Sequence, residues 1–209
     1  MRSMKKMGSV VGLMVAVMAL TGAASATASP LITPAGTAFT ATSTTGTEHV
    51  FSISSNIKVR CNHARFTGTT ANPASANVTF TATYGAAATA GAWCRLYVGG
   101  VFSAATVAPS STWGLATSTF NAGTGASTGS VTTSGATTIT VGTCVITVPT
   151  ATTVGITGQN DNPTPGVELT ASGSGLSYTS SGCGAFGVPA SGNTATYTGV
   201  VYIPNLYVS

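Results

Sequence analysis

Apolar and polar side chains alternate with a period of two along much of this sequence, and that pattern restricts the chain to β-structure. Between residues 49 and 61 most apolar side chains share one parity, while hydroxyl, amide and basic side chains take the other. Successive side chains of a strand point to opposite sides, so this spacing is typical of strands with one buried face. The segment predicts a pair of half-buried strands or one long bent strand, with Cys61 on the buried side.

Similar β-type patterns recur further along the chain. The segments that carry them are 78–84, 93–98, 112–119, 137–148, 167–172, 175–179 and 194–203. Turn signals separate the segments, among them Gly99-Gly100, which predicts a hairpin, and the run 159–166. Residues 121–136 are nearly all Gly, Ser, Thr and Ala, and predict a mobile loop or a weak edge strand. After residue 26 no apolar spacing of helical period occurs.

Short strands with frequent turns predict an all-β fold. We expect an antiparallel β-sandwich of jelly-roll or immunoglobulin-like type, with about nine to eleven strands. A single secreted domain over residues 27–209 is the simplest division of the chain. A split near residues 121–136 is the alternative.

The first 26 residues have the order of an export signal: a basic stretch, an apolar run over 10–20, and then small residues. Two Ala-x-Ala frames allow cleavage after Ala26 or after Ala28, and the first is favoured, with the mature chain beginning at Thr27. As a helix the apolar run would rise about 16 Å, roughly half of a hydrocarbon core of about 30 Å. We therefore expect a secreted, extracellular protein with no membrane insertion after signal removal, and association with the cell wall is the further expectation.

The chain contains four cysteines: Cys61, Cys94, Cys144 and Cys183. An even number of cysteines in an exported chain predicts two disulfides, for which three pairings exist. The sequential pairing, Cys61 with Cys94 and Cys144 with Cys183, is favoured. There is no Cys-x-x-Cys pair, which disfavours a zinc knuckle or a redox site. No cofactor is expected.

Charge is scarce outside the leader. Four basic side chains remain, Lys58, Arg60, Arg65 and Arg95, against the three acids Glu48, Asp161 and Glu168. Nucleic-acid binding needs several phosphate-neutralising side chains on one face, so no nucleic-acid partner is expected. Polarity comes instead from Thr, Ser, Asn and Gly, which predicts a neutral, hydroxyl-rich surface.

Catalytic motifs are present only as short matches. Residues 125–129 match Gly-x-Ser-x-Gly, but both histidines lie upstream and the flanks do not predict the required strand and helix. Residues 182–187 match Gly-x-Gly-x-x-Gly without a following helix or acid. These glycines are expected to let the chain turn around a cystine. A glycosidase-like pair formed by two of the three acids, Glu48, Asp161 and Glu168, is an open alternative. No enzymatic activity is predicted.

A metal site would require His49, His63, Glu48 and Asp161 to gather in the fold. Two surface histidines are the favoured interpretation.

Ligand-binding candidates fall into two groups. Trp93, Trp113 and Tyr202 are candidate stacking platforms for a sugar, with burial of both tryptophans in the core as the alternative. Lys58 and Arg60 share a parity and are expected to lie side by side on the solvent face. They are candidates for binding a small anion or an acidic wall polymer, although charges that protect an edge strand would look the same.

Several short motifs resemble a group of exported actinobacterial proteins of unknown function. The matching residues are 34–39 (Pro-Ala-Gly-Thr-Ala-Phe), Cys61, 72–74, 142–149, 181–184 and 195–199. The resemblance spans most of the chain after the leader. It implies four cysteines on a β scaffold and brings no activity, ligand or site residue with it.

These observations predict a secreted or cell-surface structural or interaction protein without catalytic activity. The alternative is a carbohydrate-binding module of the cell surface. The expected partner is a cell-wall polymer, a glycan or another surface protein.

Overall fold

The computed structural model describes residues 30–109, 112–161 and 165–209. Within these ranges the chain forms sixteen β-strands and two single-turn 3₁₀ helices, Gly85–Ala87 and Gly184–Phe186. The predicted all-β class is confirmed. The expected export signal, residues 1–26, and both candidate cleavage positions lie outside the described residues. No helix in the described ranges is long and apolar enough to cross a membrane.

The first eight strands are β1 (Ile32–Thr33), β2 (Ala38–Ser43), β3 (His49–Ser52), β4 (Ile57–Cys61), β5 (Ala64–Thr69), β6 (Asn77–Tyr84), β7 (Cys94–Val98) and β8 (Val101–Ala108). The other eight are β9 (Trp113–Asn121), β10 (Ala126–Thr133), β11 (Thr137–Val141), β12 (Cys144–Val148), β13 (Thr153–Asp161), β14 (Gly166–Ser181), β15 (Ser191–Pro204) and β16 (Tyr207–Val208).

Period-two alternation decides which side chains of each strand are buried. Segment 49–61 forms the antiparallel pair β3 and β4 rather than one bent strand. Phe51 and Val59 oppose each other across this pair, and both are buried. Lys58 and Arg60 take the other parity and lie on the outer side.

Fourteen strands pair antiparallel in one closed sheet, and the long hairpin β14–β15 crosses it. The hairpin divides the sheet into two closed rings. The first ring is formed by β12, β11, β8, β7, β4 and β3 with the C-terminal half of β14 and the N-terminal half of β15. The second ring is formed by β13, β10, β9, β6, β5 and β2 with the other halves of the two long strands. Strands β1 and β16 form a separate small sheet.

The predicted sandwich of nine to eleven strands is not confirmed. The described ranges contain more strands, because single predicted segments such as 49–61 and 137–148 each form a hairpin of two. Closure of the sheet depends on pairings between strands far apart in sequence, for example β3 with β15. Local alternation does not specify such partners.

Residues 121–136 differ from the prediction of a mobile loop or a weak edge. They contain β10, which pairs with β9 on one side and with β13 on the other. Strand β10 consists largely of glycine, serine and threonine, and these small residues allow it to lie close to both neighbouring strands. Ser127, the serine of the Gly-x-Ser-x-Gly match, is a buried residue of this strand. Strand β13 also continues to Asp161, into the run expected to be a turn.

Both disulfides follow the favoured sequential pairing. Cys61–Cys94 joins the adjacent strands β4 and β7, and Cys144–Cys183 joins β12 to the turn that follows β14, two residues beyond its end. Both bridges therefore belong to the first ring. Structural disulfides are typical of proteins that fold outside the reducing cytoplasm. The side chains inside the two rings form one hydrophobic cluster.

Candidate functional site

Basic and aromatic side chains gather on the outer surface of β4, β7 and β8. We call this surface the cationic face; its members are Lys58, Arg60, Trp93, Arg95, Tyr97 and Phe102. Register places them together, because Arg60 lies opposite Arg95 and Lys58 opposite Tyr97. Tyr97 in turn lies opposite Phe102. Their strand neighbours Val59, Cys94 and Leu96 are buried, so alternation leaves these side chains outside.

Arg95 has aromatic rings on two sides. Its guanidinium carbon lies 4.3 Å from the ring centre of Trp93 and 4.5 Å from that of Phe102. These separations are within the range of cation–π attraction. Arg95 is in no ion pair among the described residues, so no carboxylate of this chain neutralises its guanidinium.

Arg60 is held differently. Its guanidinium donates to Glu48 Oε2, and its carbon lies 4.9 Å from the Tyr97 ring centre. Like charges on directly opposed strand positions repel, and Arg60 faces Arg95 in that way. With Lys58 nearby, the cationic face carries three cations against the single carboxylate of Glu48. The surface therefore attracts anions.

The hairpin between β7 and β8 presents apolar surface beside these charges. Gly99 and Gly100 both have positive φ, 54° and 91°, as the predicted tight hairpin requires. Val101 and Phe102 directly after the turn are 71% and 55% exposed. An exposed ring beside fixed cations offers a stacking surface and a charge to the same ligand.

The structure brings together three of the five predicted ligand-binding residues. Lys58, Arg60 and Trp93 lie on the cationic face. Trp113 is only 8% exposed and lies in the interior, so it presents no ring face to solvent. Tyr202 lies on β15 opposite Glu168, and its ring covers Gly166, away from the cationic face.

Arg95, Tyr97 and Phe102 were not among the predicted binding residues. The sequence does carry a signal for them: Arg95 and Tyr97 alternate with the apolar Cys94 and Leu96. The Gly99-Gly100 turn then places Phe102 across from Tyr97. The signal is incomplete because the pairing of β4 with β7 is set across more than 30 residues of chain.

Both histidines were expected on the surface, and for His49 this expectation is wrong. His49 is 3% exposed and packs inside, whereas His63 is half-buried. His49 shares its parity with Phe51, so alternation already indicated an inward position. Among the described residues, no three His, Cys, Asp or Glu side chains are placed to hold a metal ion.

The remaining motif residues lie in separate places. Asp161 and Glu168 are exposed on the hairpin formed by β13 and β14, whereas Glu48 is engaged by Arg60. Residues 182–187 form a turn and a 3₁₀ helix around Cys183, which is disulfide-bonded.

No protein-family model matches the chain, and no curated protein and no solved structure is significantly similar to it. The resemblance to exported actinobacterial four-cysteine proteins stays a prediction.

Proposed function

We propose that this protein is a non-catalytic, extracellular interaction protein that binds an acidic polysaccharide of the cell surface through its cationic face. The observation that carries the proposal is the Arg95 guanidinium held between the rings of Trp93 and Phe102. A guanidinium binds a carboxylate or phosphate with two parallel hydrogen bonds. An adjacent exposed ring packs against the apolar side of a sugar.

The shape and charge of the face favour a polymer over a free anion. Lys58, Arg60 and Arg95 lie on two neighbouring strands, and outer side chains two residues apart along a strand are separated by about 6.6–6.8 Å. A chain with regularly repeated charges can contact several of these cations together, which raises affinity through multivalency. Three cations are few for a nucleic acid, whose binding depends on many phosphate contacts.

Binding to an acidic polysaccharide is expected to weaken about tenfold in Arg95→Gln, because one charge-assisted, two-point contact is lost. Lys58→Gln should weaken binding less, and raising the salt concentration should weaken it further. Affinity is measured by calorimetry on polygalacturonate, a polymer of carboxylated sugars, with neutral dextran as the reference polymer.

Arg65→Gln is the matched control, since Arg65 is an exposed arginine of β5 outside the cationic face. It should retain at least half of the wild-type affinity. An equal loss of affinity in Arg95→Gln and Arg65→Gln would show that net charge alone controls binding. That result would contradict the assignment of the cationic face as the binding site. Equal affinity for dextran and polygalacturonate would contradict an acidic ligand.

The sequence pattern of the first 26 residues and the disulfides support the extracellular part of the proposal, which has its own test. The leader over residues 1–26 and the two disulfides are both typical of secreted proteins. Protein recovered from culture medium is expected to begin at Thr27, as measured by intact mass and N-terminal sequencing. A start at Ser29 would move cleavage to the position after Ala28, and a retained Met1 would contradict export by this leader.

A further inference from the structure

Two polar side-chain atoms in the interior have no hydrogen-bond partner within the described residues. They are Nε2 of His49 and Nε1 of Trp113. His49 is 3% exposed and Trp113 is 8% exposed, so water outside the molecule does not solvate them. A buried polar atom left without a partner costs about 1–3 kcal/mol. In native proteins such atoms are rare and are associated with function or with a bound molecule.

His49 is fixed in position by its other nitrogen and by its neighbours. Nδ1 lies 2.7 Å from the Tyr197 hydroxyl, which lies 3.2 Å from the Tyr84 hydroxyl. The imidazole packs on Gly199, where an added Cβ would lie 2.3 Å from Nδ1. Burial, and to a smaller extent the charge of His63, lower the pKa of His49 to about 4. The ring is therefore neutral near pH 7.

Two cavities adjoin these residues. Their volumes are about 50 Å³ and about 70 Å³. His49 and Trp113 line both of them, and the shared walls are completed by Val131, Val154 and Tyr197. Each cavity is several times larger than the roughly 10–15 Å³ that one water needs. Because five residues line both, the two cavities are neighbours, and their combined volume is somewhat smaller than the roughly 150 Å³ apolar cavity that accommodates benzene.

The rest of the lining is mostly apolar, although Thr133, Thr137 and Thr152 also line the second cavity. Phe66, Phe80 and Leu115 contribute to the first cavity, and Ile139, Val148 and Leu176 to the second. Beside the two unpartnered nitrogens the walls offer few polar groups, and a buried water makes two to four hydrogen bonds. The lining suits a molecule whose surface is mostly apolar and whose one polar group can reach the two unpartnered nitrogens.

We propose that these two cavities, which share five lining residues, together bind a small neutral alcohol or phenol with one apolar ring or a short branched chain. Its hydroxyl hydrogen-bonds to His49 Nε2 and Trp113 Nε1. The indole N–H donates to the hydroxyl oxygen. The hydroxyl donates to Nε2 when that nitrogen is unprotonated, or accepts from it in the other tautomer, so both are satisfied. A sugar is excluded by its size and by its many hydroxyls, so this site is independent of the cationic face.

The probe molecule is phenol, and toluene is its match in shape without the hydroxyl. The chain has two tryptophans, Trp93 on the surface and Trp113 in the cavity wall. Titration of the ¹⁵N-labelled protein with phenol should shift the Trp113 indole N–H resonance saturably and leave that of Trp93 in place. Phenol should bind about tenfold more tightly than toluene, the effect of one hydrogen bond to groups that otherwise lack a partner.

The lining contains no exposed residue, so access requires transient opening of the sheet, and each titration point is read after equilibration. Trp113→Phe removes the N–H and retains an aromatic ring. It should lower the phenol-to-toluene affinity ratio several-fold, as measured by the ligand-dependent rise in unfolding temperature. If this variant does not fold, His49→Phe tests the other nitrogen in the same way.

Three results would overturn the proposal. The first is a Trp113 resonance that does not respond to phenol at millimolar concentrations. The second is a slowly exchanging water at the indole N–H with no effect of phenol, which would make the cavities hydration sites only. The third is equal affinity for phenol and toluene, which would show that the two nitrogens do not contribute to ligand binding.

Discussion

Replacing Cys144 and Cys183 together by alanine is expected to lower the free energy of unfolding by about 4 kcal/mol. The bridge closes a loop with a sequence separation of 39 residues, and its removal restores that loop's freedom in the unfolded chain. Domains of this kind have a total stability of about 5–15 kcal/mol, so the loss is a large share of it. Denaturation in guanidinium chloride at pH 7 measures the change.

Removal of this disulfide is also expected to destabilise one part of the sheet more than the rest. Strands β12 and β14 pair through three residue pairs, 145–181, 146–180 and 147–179. Those pairs close the first ring, and Cys144–Cys183 lies beside them. Amide hydrogen exchange in β12 is therefore expected to increase in the double variant beyond what the global loss of stability explains.

Cys61→Ala with Cys94→Ala is the matched control. That bridge has a similar sequence separation, 33 residues, but it ends a longer ladder of five pairs between β4 and β7. Its removal should cost about as much free energy without selectively exposing β12. A loss below about 1 kcal/mol for either pair would show that loop closure contributes little here.

Acidification from pH 7 to pH 4 is expected to remove about 3 kcal/mol of stability through His49 alone. Burial lowers the pKa of His49 to about 4 in the folded protein, against an ordinary value of 6.5. Between these values the unfolded chain binds a proton that the folded protein does not bind. The contribution is therefore fully present above pH 6.5 and decreases as the pH falls towards 4.

Denaturation curves at pH 7 and at pH 4 measure the loss, and His49→Phe isolates it. Phenylalanine fills a similar space and does not titrate, and the Tyr197 hydroxyl keeps Tyr84 as a hydrogen-bond partner. The variant should show a pH dependence weaker by about 3 kcal/mol over this range. His63→Gln, which changes the half-buried histidine, should retain most of the wild-type loss. An unchanged pH dependence in His49→Phe would show that another group controls acid stability.

For the two tryptophans, local sequence pattern predicted the strand but not whether the ring is exposed. Both lie within predicted strands, and the sequence left open whether either faces solvent. Trp93 lies on the cationic face with Arg95 over its ring, whereas Trp113 contacts Phe66 and Phe80 inside the second ring. Whether a ring is covered depends on the strands that lie across from it, and those strands come from distant parts of the chain.

The positions of the basic residues likewise depend partly on local alternation and partly on the pairing of distant strands. Their parity predicted that Lys58 and Arg60 lie side by side on the outer side of a strand, and the structure places them there. Arg95 joins them only because β7 pairs with β4 in a register that sets Arg60 against Arg95. The aromatic support of Arg95 then comes from a third strand, through Phe102.

The sequence by itself determined the β class, the inward and outward sides of most strands, the hairpin at Gly99-Gly100 and the favoured disulfide pairing. The first three properties are local, because alternation and turn chemistry act within a strand or between chain neighbours. The disulfides join residues 33 and 39 positions apart, and cysteine order only favoured that pairing among three. Tertiary structure alone decided the closure of the sheet, the enclosure of His49 with Trp113 and the assembly of the cationic face. Each of these depends on which distant strands pair and in which register, and that choice is made by the packing of all the inward faces together.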